Sequence, residues 1–196
     1  MFVTALLAAT LAAPVPKAMP VLYLPTTVGT KRVYETRRDD KVLCETTEVV
    51  TKVEAKGDGY TVTVEGDDQP GGGWTQAFVV SAKGVAFQLD PEAEAEPVFK
   101  SGLKAGDTWK VEHTGPRKGL GETTFTVGKE EEVEVPAGKY KAIPVTRELP
   151  LDGRRGAKTT TWYAPGVGVV KKEVDSLGGG GVTVLTSFTP GKGDKR

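Results

Sequence analysis

Cysteine and histidine are almost missing from this chain: Cys44 and His113 are single occurrences among 196 residues. One cysteine excludes an intramolecular disulfide and any cysteine-based zinc site. One histidine removes most nucleophilic machinery, because a Ser-His-Asp relay needs a histidine beside its nucleophile. His113 alternates in phase with Trp109 and Val111, which marks it as core-facing, and Cys44 reads as a small buried apolar residue in a strand. Net charge is missing too. The 26 basic and 26 acidic side chains cancel, and nothing resembles the dense basic stripe of a nucleic-acid binder. The cancellation is uneven, with 9 Lys/Arg against 14 Asp/Glu in residues 1–98 and 17 against 12 in residues 99–196.

Long apolar runs are also absent. Phe2 to Ala13 is uncharged and apolar but too short to cross a bilayer, so no transmembrane segment is expected in the mature chain. Pro14 and Pro16 follow at once, and the run resembles the apolar centre of a secretory signal peptide cleaved after Ala13 or Ala18. Residues 1–18 are therefore read as a signal peptide, 19–190 as a single β domain and 191–196 as a disordered tail. The expected location is periplasmic or secreted; a buried N-terminal segment of a cytosolic protein is the alternative.

Helical periodicity is confined to Asp90 through Pro97, with Asp90 as cap, Pro91 at the first position and Pro97 as stop. What fills the chain instead is β-branched alternation cut by turns, consistent with 25 Gly and 13 Pro. Val28–Arg37, Lys41–Glu54, Tyr60–Val64, Trp74–Ser81, Val85–Leu89 and Asp107–His113 read as strands. So do Glu122–Val135, Tyr140–Arg147, Thr159–Tyr163, Val167–Val174 and Val182–Phe188. Pro165-Gly166 suits the centre of a type II turn, and Asp67 to Gly73 reads as a mobile loop. The fold class is all-β: an antiparallel curved sheet of about ten strands, a half-barrel or barrel.

Two echoes suggest a duplication into halves 19–98 and 99–190. Val28 to Glu35 parallels Ala105 to Glu112, an offset near 77, and Phe78 to Val85 parallels Trp162 to Val169. Each half would then leave an edge for the other to cover.

Three pieces carry a family resemblance: Gly106-Asp107-Thr108-Trp109, Val133-Glu134-Val135-Pro136-Ala137-Gly138-Lys139-Tyr140, and Trp162-Tyr163-Ala164-Pro165-Gly166-Val167-Gly168. Together they resemble a group of exported bacterial β-rich proteins of largely unassigned function, in which a Val-Pro-Ala-Gly turn precedes a Tyr-Ala-Pro-Gly-Val-Gly hairpin. The resemblance covers about residues 100–175. It implies a curved sheet distantly similar to the periplasmic lipoprotein-carrier (LolA-like) half-barrels, without the long helices that plug their concave face. It carries over no catalytic residue.

Motifs for chemistry are thin. Asp39-Asp40, Asp67-Asp68 and Glu130-Glu131-Glu132 lack calcium-loop spacing. Gly115 to Gly121 lacks the Lys-Ser/Thr ending of a phosphate loop. No metal or cofactor is expected. Arg154, Arg155, Lys139, Lys141, Arg147 and Lys158 would form a basic patch if their strands are neighbours. The ligand-binding candidates are Tyr34, Trp74, Trp109, Tyr140 and Trp162, aromatics that either line an open concave face or fill the core. The expected function is non-enzymatic binding of a hydrophobic or amphipathic ligand or an envelope component, with no enzyme activity. A structural or protein-interaction module is the alternative. A glycoside-active enzyme with two carboxylates is the remote one.

Overall fold

The computed structural model describes residues 20–39, 41–112, 121–149, 156–176 and 179–192, and among them there is no helix. The strands are β1 (Lys31–Arg38), β2 (Lys41–Lys56), β3 (Gly59–Gln69), β4 (Gly72–Ser81), β5 (Gly84–Gln88), β6 (Glu96–Lys100) and β7 (Thr108–Glu112). They continue with β8 (Glu122–Val127), β9 (Glu131–Val135), β10 (Gly138–Glu148), β11 (Lys158–Ala164), β12 (Gly168–Asp175) and β13 (Gly181–Thr189). All thirteen belong to one antiparallel sheet, in the order β6-β5-β4-β3-β2-β1-β13-β12-β11-β10-β8-β7, with β9 paired to β10 off this path.

That order is two consecutive meanders stitched together by the first and last strands. Lys31 through Arg37 of β1 pairs with Thr189 through Val182 of β13. The sheet curls until β6 and β7 approach one another, so the barrel is nearly closed. At this seam Trp109 takes the place of a backbone ladder. Its indole N–H donates to the Pro97 carbonyl at 3.1 Å, its ring stacks on Phe125 at 4.9 Å, and the Lys100 ammonium lies 5.7 Å from it. Pro97 has no N–H to offer a ladder, which suits an edge strand.

The two meanders start in the same way. Gly29 donates to Val50 O at 2.8 Å, Val50 to Thr30 O at 2.9 Å, and Thr30 to Thr27 O at 3.1 Å. Seventy-seven positions on, Gly106 donates to Val127 O at 2.8 Å, Val127 to Asp107 O at 2.9 Å, and Asp107 to Lys104 O at 3.0 Å. Both glycines have positive φ, 80° and 95°. The second echo falls on β4–β5 and β11–β12, which occupy the same place in each meander. The link between the meanders follows Lys100 rather than residue 98.

Three local expectations change. The segment from Glu122 to Val135 is two strands, because β10 changes partners midway: Gly138 to Ala142 pairs with β9 and Val145 to Glu148 with β8. Pro144 sits at the changeover without an N–H, and Gly128 donates to its carbonyl at 2.7 Å. Asp67 to Gly73 is no loop, since the β3–β4 ladder runs to Asp68 opposite Gly72. Asp90 to Pro97 forms turns and then strand. The Gln88 amide donates to the Asp90 and Ala93 carbonyls and competes with the i→i−4 bonds of so short a helix. The type II geometry at Pro165-Gly166 holds, with Gly166 at φ 72°.

Two apolar clusters result. The larger, inside the barrel, gathers Val50, Val62, Val64, Val80, Val85, Phe99, Trp109, Phe125, Val145 and Tyr163. Leu24, from the segment before β1, joins it, and Gly166 donates to Leu22 O at 2.7 Å. The smaller includes Val133 and Val135 of β9 with Trp162, Val170 and Leu185. Consecutive residues Trp162, Tyr163 and Ala164 are all buried, because β11 is covered on both faces. The C-terminal strand is followed by an anchored residue: Gly191 donates to the Thr30 hydroxyl at 3.0 Å. Residues 1–18, His113, Arg154 and Arg155 lie outside the described residues.

Gly66 tests the cross-strand packing. It faces Trp74 across the ladder, and a Cβ there would overlap the indole ring. Gly66→Ala is expected to lower stability by about 1–3 kcal/mol in urea unfolding. Gly73→Ala, whose Cβ would meet only the Gly66 carbonyl at 3.6 Å, is expected to stay within about 0.5 kcal/mol.

Candidate functional site

Inward-facing residues of β1–β6 and β11–β13 enclose a cavity of about 520 Å³, within the range of small-molecule sites. Leu24, Trp74, Phe78, Val85, Val98, Tyr163 and Val169 make its apolar wall. A side lobe of about 210 Å³ shares Val98, Tyr163 and Lys172 and adds Phe125, Val145, Arg147, Thr159, Thr161 and Val174.

The end of the cavity at the β11–β12 turn is tied shut by a buried charge. Arg32 is only 3% exposed; its guanidinium meets the Glu48 carboxylate at 2.7 Å and donates to Val167 O at 3.4 Å. Gly168 makes room, because a Cβ there would press on that guanidinium. A buried guanidinium without its carboxylate would be strongly destabilising, so this pair is fixed structure rather than free binding charge. Next to it Tyr34 donates to Val169 O at 3.0 Å.

Farther from the turn the wall becomes polar. Register places Thr161 opposite Lys172, Lys172 opposite Thr183, Thr183 opposite Thr36 and Thr36 opposite Cys44. The Thr36 and Thr183 hydroxyls are 2.9 Å apart. Continuing along the same wall, Asp68 of β3 accepts from the Thr46 hydroxyl of β2 at 2.7 Å. Lys172 is exposed at the rim.

The five aromatics named from the sequence do not converge. Tyr34 and Trp74 line the cavity, whereas Trp109 latches the seam. Tyr140 and Trp162 belong to the second cluster, which Tyr34 also joins; there Tyr140 donates to Ala137 O at 3.2 Å and Trp162 to Glu131 at 2.6 Å. Cys44 lines the cavity, half-buried, as one of its polar residues. The basic patch disperses: Lys139 pairs with Glu134 at 3.3 Å, Lys158 with Glu148 at 3.6 Å, Lys141 faces Glu132, and Arg147 turns to the side lobe. Phe78, Tyr163, Arg32 and Lys172 were not among the sequence candidates. Arg32, a charge in phase with Tyr34, was the readable signal; Lys172 needs the register. Among the described residues no group of three His, Cys, Asp or Glu is placed to hold a metal.

With this geometry the solved structures can be compared. A candidate exported protein from Bacteroides fragilis NCTC 9343 with a YmcC-like fold superposes with a TM-score of 0.60 at 15% identity, over 86% of this chain and 99% of that one. A candidate lipoprotein from Parabacteroides distasonis ATCC 8503 superposes with a TM-score of 0.55 at 16% identity, over 88% and 100%. The chain shares their fold. A profile of the DUF3108-like family matches residues 116–177, which span β8 to β12, about a third of the chain. No curated protein matches.

Burial raises the phenols of Tyr34 and Tyr163 above their ordinary value of 10.0, only partly opposed by Arg32 beside the first and Arg147 beside the second. Both groups stay protonated when folded, so they favour the folded state below pH 10, where the unfolded chain is protonated as well. That contribution is lost as pH rises past the unfolded value. Stability is therefore expected to fall above about pH 10, and less steeply in Tyr34→Phe and Tyr163→Phe, as read by urea midpoints between pH 8 and 11.

Proposed function

We propose that this protein is an exported, non-enzymatic carrier or receptor that holds a hydrophobic or amphipathic molecule inside its barrel. The observation that carries this reading is the cavity of about 520 Å³, apolar along one wall and hydroxyl-rich along the other. Export is supported by the apolar run before Pro14 and by the description of both solved neighbours as exported or lipoprotein candidates. Among the described residues, the two carboxylates lining the cavity are Glu48, paired with Arg32, and Asp68, which accepts from Thr46.

A second reading, an envelope interaction module, is favoured by β6 and β7 being the terminal strands of the sheet and by a groove of about 440 Å³ beside β6, lined by Val79, Ala86, Pro97 and Leu103. Strand addition would use those edges.

Titration with an uncharged apolar fluorophore, N-phenylnaphthylamine, separates the two. Binding with enhanced emission is expected, together with at least tenfold weaker binding by Val98→Trp, since Val98 lines both lobes. A flat titration with a folded wild-type protein would leave only the interaction module.

A further inference from the structure

The cavity is not charged symmetrically. Its closed end has a cation already neutralised, with Arg32 against Glu48 at 2.7 Å. Its open end has Lys172, which makes no ion pair among the described residues. Lys172 is the pivot of this arrangement, because it lines both lobes and stands between Thr161 and Thr183 in the cross-strand row. Thr161 and Thr183 flank it in register, and the Thr183 hydroxyl is bonded to that of Thr36 at 2.9 Å. The one other carboxylate on the wall, Asp68, is engaged by Thr46. An ammonium flanked by hydroxyls at the rim, above a wall of Phe78, Val85 and Val98, has the polarity of a head-and-tail molecule.

We propose that the ligand is an anionic single-chain amphiphile, whose carboxylate or phosphate headgroup is bound at Lys172 while its hydrocarbon chain runs inward toward Phe78 and Val85. This rests on the cavity being the binding site. The oxyanion accepts from the Lys172 ammonium and from threonine hydroxyls, the charge-assisted type of bond that is strongest at a partly dehydrated rim. A cationic headgroup would meet Lys172 as a like charge.

Hexadecanoate, hexadecyl phosphate and hexadecanol, titrated against protein loaded with N-phenylnaphthylamine, test this with the chain held constant. Both anions are expected to bind roughly tenfold tighter than the alcohol, about 1.4 kcal/mol. Lys172→Gln, at an exposed position, is expected to keep the fold by circular dichroism and to shrink the preference to within about twofold. Lys171→Gln makes the same charge change on the other face, where Lys171 lies 4.8 Å from the Trp162 ring, and is expected to leave the preference intact. Equal binding of alcohol and acid, or a preference that survives Lys172→Gln or is lost equally in Lys171→Gln, overturns the headgroup assignment and leaves the cavity standing. Failure of all three compounds and of the fluorophore overturns the cavity itself.

Discussion

The pairing of β1 with β13 is the constraint from which the rest of the molecule follows. Each meander alone would be an open sheet with exposed edges and one bare apolar face. Joining the chain's first and last strands turns two sheets into one, and the inherent twist of that long sheet brings β6 and β7 together. The join spans more than 140 residues of sequence, as the Thr36–Thr183 contact illustrates. It therefore forms against a large loop-closure entropy and needs the core of both halves to hold it.

Incomplete closure has consequences at both ends of the sheet. At the seam a tryptophan N–H and a stacked pair of rings do what a ladder would otherwise do. Inside, the barrel encloses more volume than its own side chains fill. Leu24, from the segment before β1, and the β11–β12 turn close one end, and the Arg32–Glu48 pair locks strands β1 and β2 to that turn. What remains is a blind pocket with an apolar wall and a polar rim, a shape that suits a molecule with a tail and a head.

Much of this was legible in the chain. β-branched alternation, glycine-marked turns and the near absence of helix signals give the all-β class directly, and the Gly29 and Gly106 echo marks strands that open equivalent meanders. The two motif-bearing hairpins lie inside the segment matched by the DUF3108-like profile. The site was less legible, for a physical reason. Which aromatics meet depends on register and on which sheet faces are covered: adjacent Trp162 and Tyr163 alternate in direction and serve different cores because β11 is buried on both sides. Trp109, Tyr140 and Trp162 looked no different in sequence from Trp74, yet only Trp74 and Tyr34 of the five face the cavity. The division of Glu122 to Val135 into two strands was hidden likewise, because its cause, Pro144, lies on the partner strand.

The central claim is that the interior of this barrel holds an apolar chain. A crystal structure of the protein grown with hexadecanoate measures that most directly. Continuous density for the chain between Phe78 and Tyr163, with its carboxylate near Lys172, is the predicted result. An interior containing only water, with the fatty acid on the outer face or absent, would contradict it.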